Sequence, residues 1–338
     1  VHGTVDADSL NLEDCLIGAE AHGSLSIDDL DAQHIDHDGV RVTGSADISG
    51  AYFLDMTGGI SSSGTLIMEN SQFESVGIGI TLSGGSAILD DAQFNSGVSV
   101  GLSLSNNVSG SVDGLTGTAG DAIHAFACQG ITVSDVDMSG QRLVNSWGAG
   151  DLTIQNVSFT SNSPETPIDV RTSGTVTLSD IKLNGSFSSM QGSHDAPWIG
   201  MALSGSGDYI LSDLDIESTD TSLVATGTGV LSITDSLFTS EENGLVISGL
   251  TEFNIESSTV NISLGGGIGI DILQGSNNFD NVEVNMPYFQ FESGSTGIQV
   301  WWGDVDAGTL SVNGFATGID LQSSLMEVED LTMTSSSE

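Results

Sequence analysis

Apolar side chains return along this chain in a short motif whose copies are about 22 residues apart. The motif reads apolar, any residue, Asp/Asn/Gly, apolar or small, any residue, apolar. Clear copies begin at Met68, Leu89, Val133, Ile154 and Leu178. A repeat of this length predicts that the chain stacks similar units instead of closing one globule.

The third motif position falls on residues that share tolerance of a turn or of a left-handed backbone. These marker residues are Asp14, Asp29, Gly50, Asn70, Asp91, Gly114, Asp135, Asn156, Asp180, Asp213, Asp235, Ser257, Asn281, Gly314 and Asp330. We predict a tight bend at each marker, flanked by short strands with inward apolar residues. A second strand recurs in the other half of each unit, for example at 79–82 and 297–300, where apolar and variable residues alternate.

Short strands of this kind cannot bury a face alone, but stacked coils bury a continuous core. The pattern therefore predicts an all-β fold, a right-handed parallel β-helix (solenoid) of about 15 coils. No segment shows a sustained helical period with caps. A β-sandwich would need hairpins, and no Asn-Gly or Asp-Gly dipeptide separates alternating runs at regular intervals.

A solenoid has no single domain boundary, and the chain has only four prolines and no linker-like change in composition. We therefore predict one β-helix domain over residues 1–338. The first residue is Val, and neither end offers an amphipathic cap for the open sheet edges. The chain is expected to be a portion of a larger secreted or surface protein, or to meet like subunits through uncapped ends.

The charge of the chain is strongly acidic, with 46 Asp and Glu against four Lys and Arg and a formal net charge of −42. Nucleic-acid binding is excluded, because phosphate contacts need clustered cations. Such a surface attracts cations and suits a halophilic or marine setting, where salt screens the self-repulsion. A Ca²⁺-rich extracellular setting is the alternative, and Ca²⁺ is the one cofactor that the composition suggests.

The cysteines and glycosylation motifs bear on the compartment. Cys15 and Cys128 lie about five coils apart, too far for a disulfide, so we predict two buried thiols. Four sequons make Asn107, Asn156, Asn184 and Asn261 glycosylation candidates and favour an extracellular or cell-surface location. No segment is long and apolar enough for membrane insertion.

The coil motif, as in residues 150–159, resembles the right-handed parallel β-helix repeat of the pectate-lyase-like superfamily over essentially the whole chain. The likeness is closest to non-catalytic β-helix segments of large secreted and surface proteins. Polysaccharide lyases, glycoside hydrolases, phage tailspikes and adhesins share this motif, so the resemblance implies the fold and leaves the function open.

Candidate chemistry is sparse. A lyase needs a basic residue beside a carboxylate cluster, and the cations are few, although Asp169 lies two residues from Arg171; local pairing of Arg171 is the simpler interpretation. No catalytic residue is assigned. His34, Asp36 and Asp38 would share one face of an extended strand and are the candidate metal ligands, with a solvated acidic turn as the alternative.

Two departures from the period are the candidate binding regions. The marker steps from Asp180 to Asp213 and from Asn281 to Gly314 are each about eleven residues longer than the others and place insertions at 184–198 and 285–308. Long loops on one face of a solenoid are typical of a binding surface. These regions supply Trp198, Tyr288 and Trp301 as candidate ligand-binding residues. An alternative role for these aromatic side chains is as lids over the core.

The outward row that carries Gln299 adds two further candidate ligand-binding residues, Asp271 and Asp320, one on either side of it. Aromatic rings beside carboxylates suit glycans. Three functions remain open: a non-enzymatic stalk, adhesin or assembly module that binds glycans or Ca²⁺; a polysaccharide-active hydrolase or lyase; and a subunit of a self-assembling filament or surface lattice.

Overall fold

The computed structural model describes residues 3–185, 199–263, 266–286 and 294–334. These residues form strands and turns without a helix, in a parallel β-solenoid of about 14 turns with a period of about 22 residues. The all-β solenoid prediction is confirmed. The chain divides into two compact units, Val1–Ser163 and Pro164–Glu338, which we call unit 1 and unit 2.

Unit 1 contains the strands β1 to β13. They span Thr4–Ala7, Leu10–Glu13, Ala19–Ala21, Ser24–Ile27, Leu30–Val42, Ser45–Ser49, Ala51–Ser62, Thr65–Ser83, Ser86–Phe94, Val100–Ser105, Ser109–Phe126, Ile131–Ala149 and Leu152–Ser161. Each strand pairs in parallel with its equivalent one coil away, so Val40, Ile60 and Ile80 stack in one inward column. The second predicted strand, at 79–82, belongs to this column.

A column of aromatic rings fills part of the interior of unit 1. Phe53, Phe73 and Phe94 occupy equivalent positions in three successive coils, and all three are fully buried. The ring centroids are 4.9 Å apart for Phe53 and Phe73 and 5.3 Å apart for Phe73 and Phe94. Parallel register thus turns a single motif position into a continuous stack, because identical side chains meet at the coil spacing.

The Asp/Asn/Gly marker is a left-handed corner in most coils, as the sequence predicts, but not at Asp29 or Asp330. In unit 1 the φ angles are 52° at Asn70, 53° at Asp91 and 53° at Asp135. Asp180, Asp213 and other markers of unit 2 have the same conformation. Asp and Asn are suited to this corner because their short polar side chains lower the cost of a left-handed backbone.

A second left-handed corner occurs in the first coils and explains one wrong assignment. Asp14, His34, Asp55 and Ser75 all have φ angles between 53° and 55°. The residues that precede these four occupy equivalent positions in successive coils. Gln33, for example, pairs with Glu13 in the coil before it and with Leu54 in the coil after it. Asp14 therefore belongs to this second corner and not to the marker row.

Unit 2 contains the strands β14 to β26. They span Ile168–Thr172, Thr175–Gly185, Ile199–Gly205, Asp208–Gly227, Val230–Thr234, Leu237–Ser248, Glu252–Glu256, Thr259–Ile262, Ile268–Asp280, Val282–Asn285, Thr296–Asn313, Thr317–Gln322 and Leu325–Thr334. The pairings described within this unit are parallel as well. Its inward residues include Leu211, Ile233 and Ile255, which pair in sequence and are all buried.

The two insertions of unit 2 leave the same corner of the coil. Leu183 and Val284, which precede them, lie in one inward column that runs through Ile216, Phe238 and Val260. The second insertion is shorter than predicted, because residues 296–308 belong to β24 and pair with β22. Register also makes Thr309, and not Gly314, the marker of that coil, since Thr309 pairs with Asp330.

The cysteines form no disulfide and differ in exposure. Cys128 is completely buried, and burial raises the pKa of its thiol to about 11. Cys15 is only partly buried, which corrects the prediction of two buried thiols. Its coil is the first of unit 1 and has neighbouring strands on one side alone among the described residues.

Candidate functional site

Three adjacent strands of unit 2 bring together the predicted residues Asp271, Trp301 and Asp320. In β22, β24 and β25, Asp271 pairs with Gln299, and Gln299 pairs with Asp320. Trp301 lies two residues after Gln299, on the same outward side of β24, and pairs with Gln322. Alternation along a strand puts these side chains on the face opposite to the buried Ile298 and Val300.

We call this surface the tryptophan platform. It consists of Asp271, Gln299, Trp301, Trp302, Asp320 and Gln322. Leu273, 39% exposed, pairs with Trp301 and borders the platform on its other side. The platform therefore combines two rows of side chains that run across the strands. Asp271, Gln299 and Asp320 form a polar row, and Leu273 and Trp301, two residues further along their strands, form an apolar row.

The two indole rings form the aromatic part of the platform. The ring centroids of Trp301 and Trp302 are 6.0 Å apart and their planes are inclined by 58°. Trp301 is partly buried, whereas Trp302 is 59% exposed. Trp302, Trp301 and the 39% exposed Leu273 thus form a contiguous apolar surface, which is more informative than a single exposed ring.

Trp302 also occupies a strained backbone position. Its φ angle is 56°, in a corner where the equivalent residues of neighbouring coils are Gln274 and Ser323. A left-handed backbone is a genuine outlier for a bulky residue. The exposure of the ring and the left-handed backbone are both unfavourable for Trp. The fold alone therefore does not explain why Trp occupies this position.

Hydrogen bonds hold one carboxylate of the platform in place. Asp320 Oδ2 accepts from Gln299 Nε2 at 3.4 Å and from Gln322 Nε2 at 3.3 Å. Both donors are neutral amides, so the negative charge of Asp320 is not compensated by a neighbouring cation. Asp320 Oδ1 accepts no hydrogen bond from the described part of the chain.

The other carboxylate, Asp271, is desolvated without compensation. It is half-buried, and burial raises its pKa above the usual Asp value. No hydrogen bond or ion pair to its side chain occurs among the described residues. A carboxylate in this state gains free energy from any donor or cation that reaches it.

The Arg and Lys side chains are each paired with a carboxylate that is not part of the platform. The four cationic side chains each lie within 4 Å of a carboxylate: Arg41 beside Asp38, Arg142 beside Asp121, Arg171 beside Asp169 and Lys182 beside Asp215. The local pairing of Arg171, at 3.8 Å, agrees with the sequence interpretation. Arg171 lies five coils from Trp301 in the same outward row, about 24 Å away at the strand spacing.

The predicted metal ligands are brought together only in part: His34 and Asp36 line one cavity with Asp55, and Asp38 does not line it. The left-handed φ of His34, 54°, breaks the extended backbone that the prediction assumed, and the register shifts between Ile35 and Asp38. His34 Nδ1 lies 3.1 Å from Asp55 Oδ2, while Asp38 Oδ2 accepts two hydrogen bonds from Arg41 at 2.8 and 3.0 Å. Within the residues the structure describes, no group of three His, Cys, Asp or Glu side chains is arranged to hold a metal ion, including His34, Asp36 and Asp38.

The other sequence candidates divide into two groups. Trp198 and Tyr288 lie outside the described residues. Asn107 and Asn156 are exposed corner residues, and Asn184 and Asn261 are partly exposed. Asn156 Nδ2 donates to Asp135 Oδ1 in the neighbouring coil. Glycosylation of these sites stays a prediction.

The sequence interpretation missed an exposed aromatic pair in unit 1. Phe126 and Trp147 are direct partners in the register of β11 and β12 and are 55% and 50% exposed. Each precedes a left-handed residue, Ala127 or Gly148, just as Trp301 precedes Trp302. In the sequence this pair is visible only as an aromatic residue at the end of the second strand of a repeat. The motif spacing alone does not show that a side chain at this position is exposed.

Comparison of the chain with protein-family models, with curated proteins and with solved structures gives no match. The class of the protein therefore rests on its architecture, a parallel β-solenoid. No helix in the described segments is long and apolar enough to cross a membrane.

Proposed function

We propose that this chain is a non-enzymatic β-solenoid module of an extracellular or cell-surface protein, which acts as a stalk or adhesin and binds saccharides. The observation that carries the proposal is the tryptophan platform, where register unites two indole rings, one of them exposed, with carboxylate and amide side chains. Indole faces stack on the C–H face of a pyranose ring, and the polar row can exchange hydrogen bonds with its hydroxyl groups. The proposal includes a right-handed solenoid and a relationship to the non-catalytic β-helix repeats.

The module is proposed to be non-enzymatic because each Arg and Lys is paired and an amide side chain separates the two carboxylates of the platform. A lyase needs a base free to take a proton, and each Arg and Lys side chain lies beside a carboxylate. A hydrolase needs two carboxylates about 5–9.5 Å apart. Asp271 and Asp320 are two coils apart, about 9.6 Å at the strand spacing, but Gln299 lies between them and donates to Asp320.

Truncation of the exposed indole tests this proposal. Trp302→Ala is expected to weaken saccharide binding about tenfold, since the loss of one aromatic stack is equivalent to about 1.4 kcal/mol. The melting temperature should hardly change, because the removed ring is 59% exposed. Isothermal titration with neutral and amino-sugar oligosaccharides measures the first effect, and thermal denaturation measures the second.

Phe126→Ala is the matched control, because it removes a ring of similar exposure from unit 1. An equal loss of affinity in both variants would contradict the assignment to the platform. Release of reducing or unsaturated sugar ends during the same incubations would instead support the enzymatic alternative. A large fall in melting temperature for Trp301→Ala would favour the lid role for that ring.

Assembly of like subunits is the second candidate, and the last described strand favours it. In β26, Leu325, Leu331 and Met333 are exposed by 57%, 40% and 54%. Among the described residues β26 pairs with β24 alone, and exposed apolar side chains of this kind promote association. Sedimentation velocity over a range of concentration and Ca²⁺ should show oligomers that Leu325→Asp dissolves; a monomer under all conditions would rule this candidate out.

A further inference from the structure

We propose that the tryptophan platform selects saccharides that carry a protonated amine, such as glucosamine units, and rejects saccharides that carry carboxylates. This inference rests on the proposed saccharide-binding function and specifies its ligand class. It follows from the charges and the unmet hydrogen-bonding capacity of the platform.

The aromatic part of the platform accepts a cationic sugar. Trp301 and Trp302 offer two inclined indole faces, and Trp is the side chain whose face attracts cations most strongly. The same faces stack on the C–H surface of the pyranose ring. An amino sugar uses both interactions, whereas a neutral sugar uses only the second.

The polar part of the platform lacks the donor that an ammonium group would supply. Asp271 is half-buried and receives no hydrogen bond from the described residues, so its ionised form is poorly stabilised in the free protein. Asp320 is oriented by Gln299 and Gln322 through Oδ2, which leaves Oδ1 without a donor from the same residues. A ligand ammonium group would provide both the hydrogen bonds and the opposite charge.

The surroundings of the platform disfavour acidic sugars. The cationic side chain in the same outward row, Arg171, lies about 24 Å from Trp301 at the strand spacing. This distance exceeds the Debye length of about 8 Å at physiological salt. A uronate would therefore meet two carboxylates, Asp271 and Asp320, with no counter-charge, in a chain of net charge −42.

The test compares four oligosaccharides of equal length by titration calorimetry: glucosamine, N-acetylglucosamine, glucose and galacturonate oligomers. The salt concentration is about 0.15 M, so that long-range attraction is screened. The glucosamine oligomer is expected to bind about tenfold more tightly than its N-acetylated counterpart, as one well-placed ion pair is equivalent to about 1.4 kcal/mol. The galacturonate oligomer is expected not to bind.

The double variant Asp271→Asn, Asp320→Asn should abolish the preference for the amine and retain binding of neutral oligomers. Its control is Asp213→Asn, Asp235→Asn, which changes the net charge equally at two stacked corner residues away from the platform. The control should keep the preference. Because burial raises the pKa of Asp271, the preference should also disappear on acidification at a higher pH than an ordinary Asp would give.

Several outcomes would overturn the inference and leave the proposed function standing. These are equal affinity for the glucosamine and N-acetylglucosamine oligomers, tight binding of galacturonate, or an equal effect of both double variants, provided that Trp302→Ala still removes the binding. Equal binding of a tetralysine peptide would assign the preference to net charge alone and would also overturn it. If no oligosaccharide binds, both the inference and the proposed function fail.

Discussion

Replacement of Phe73 by Ala is expected to destabilise unit 1 by about 3–5 kcal/mol, the usual cost of removing a buried aromatic ring. Phe73 is fully buried between Phe53 and Phe94, with ring centroids 4.9 and 5.3 Å away. Its removal opens a cavity in the middle of the stack. The coils on either side are held by parallel backbone hydrogen bonds and cannot collapse into the space without breaking them.

Urea denaturation followed by circular dichroism and by tryptophan fluorescence measures this loss. Phe126→Ala is the control, since the same substitution at a 55% exposed position should change stability by only about 0.5 kcal/mol or less. Phe73→Leu should fall between the two, because it keeps most of the buried volume. Equal midpoints for Phe73→Ala and Phe126→Ala would show that the stack does not stabilise the unit.

Replacement of Gly64 by Ala is expected to cost about 3 kcal/mol, at the upper end of the cost of overpacking. Gly23, Gly44, Gly64 and Gly85 form a column at one turn of successive coils of unit 1. A Cβ atom on Gly64 would overlap the carbonyl oxygen of Gly44. Because this neighbour is backbone and not a flexible side chain, relief requires the coils to move apart.

Gly3→Ala is the matched control, as a Cβ atom there meets no atom within 4 Å. The measurement is again the urea midpoint, supported by hydrogen exchange of the amides in β6 and β8, which flank the column. Thr65 donates to the Gly44 carbonyl at 3.0 Å, and faster exchange at this amide should accompany the loss. A stability equal to that of Gly3→Ala would show that the coil spacing is more adaptable than the structure indicates.

The regular part of the fold follows from the sequence because one position of the repeat is a left-handed corner in most coils. Asn70, Asp91 and Asp135 share the left-handed corner and belong to residue types that tolerate it, so the corner is visible in the sequence. The second corner is not visible, because His34 and Ser75 share its φ angle without a common chemistry. The sequence does not reveal Thr309 as a marker for a related reason. The insertion before it changes the distance from the preceding marker, and Thr is not one of the residue types Asp, Asn and Gly by which markers are recognised.

The candidate site was predictable only where register could be inferred. Asp271 and Asp320 were placed around Gln299 because their strands share the inward residues Ile270, Ile298 and Ile319. The part that Gln322 plays in the site was not predictable, because it depends on the direction in which its side-chain amide points toward Asp320. The shared face assumed for His34, Asp36 and Asp38 does not form, because alternation along an extended strand does not continue through a left-handed residue; metal binding itself stays a prediction.

The glycine column also defines how this chain can change in length. Ser45 and Thr65, which follow Gly44 and Gly64, are direct partners in the register. Removal of residues 45–64 would join Gly44 to Thr65. Thr65 would then take the register position of Ser45, so the strand pairing with the preceding coil would be kept. Removal of a single residue would instead exchange inward and outward side chains along the following strand. Gain or loss of whole coils is therefore the evolutionary step that this architecture tolerates, with the coil as the unit of inheritance.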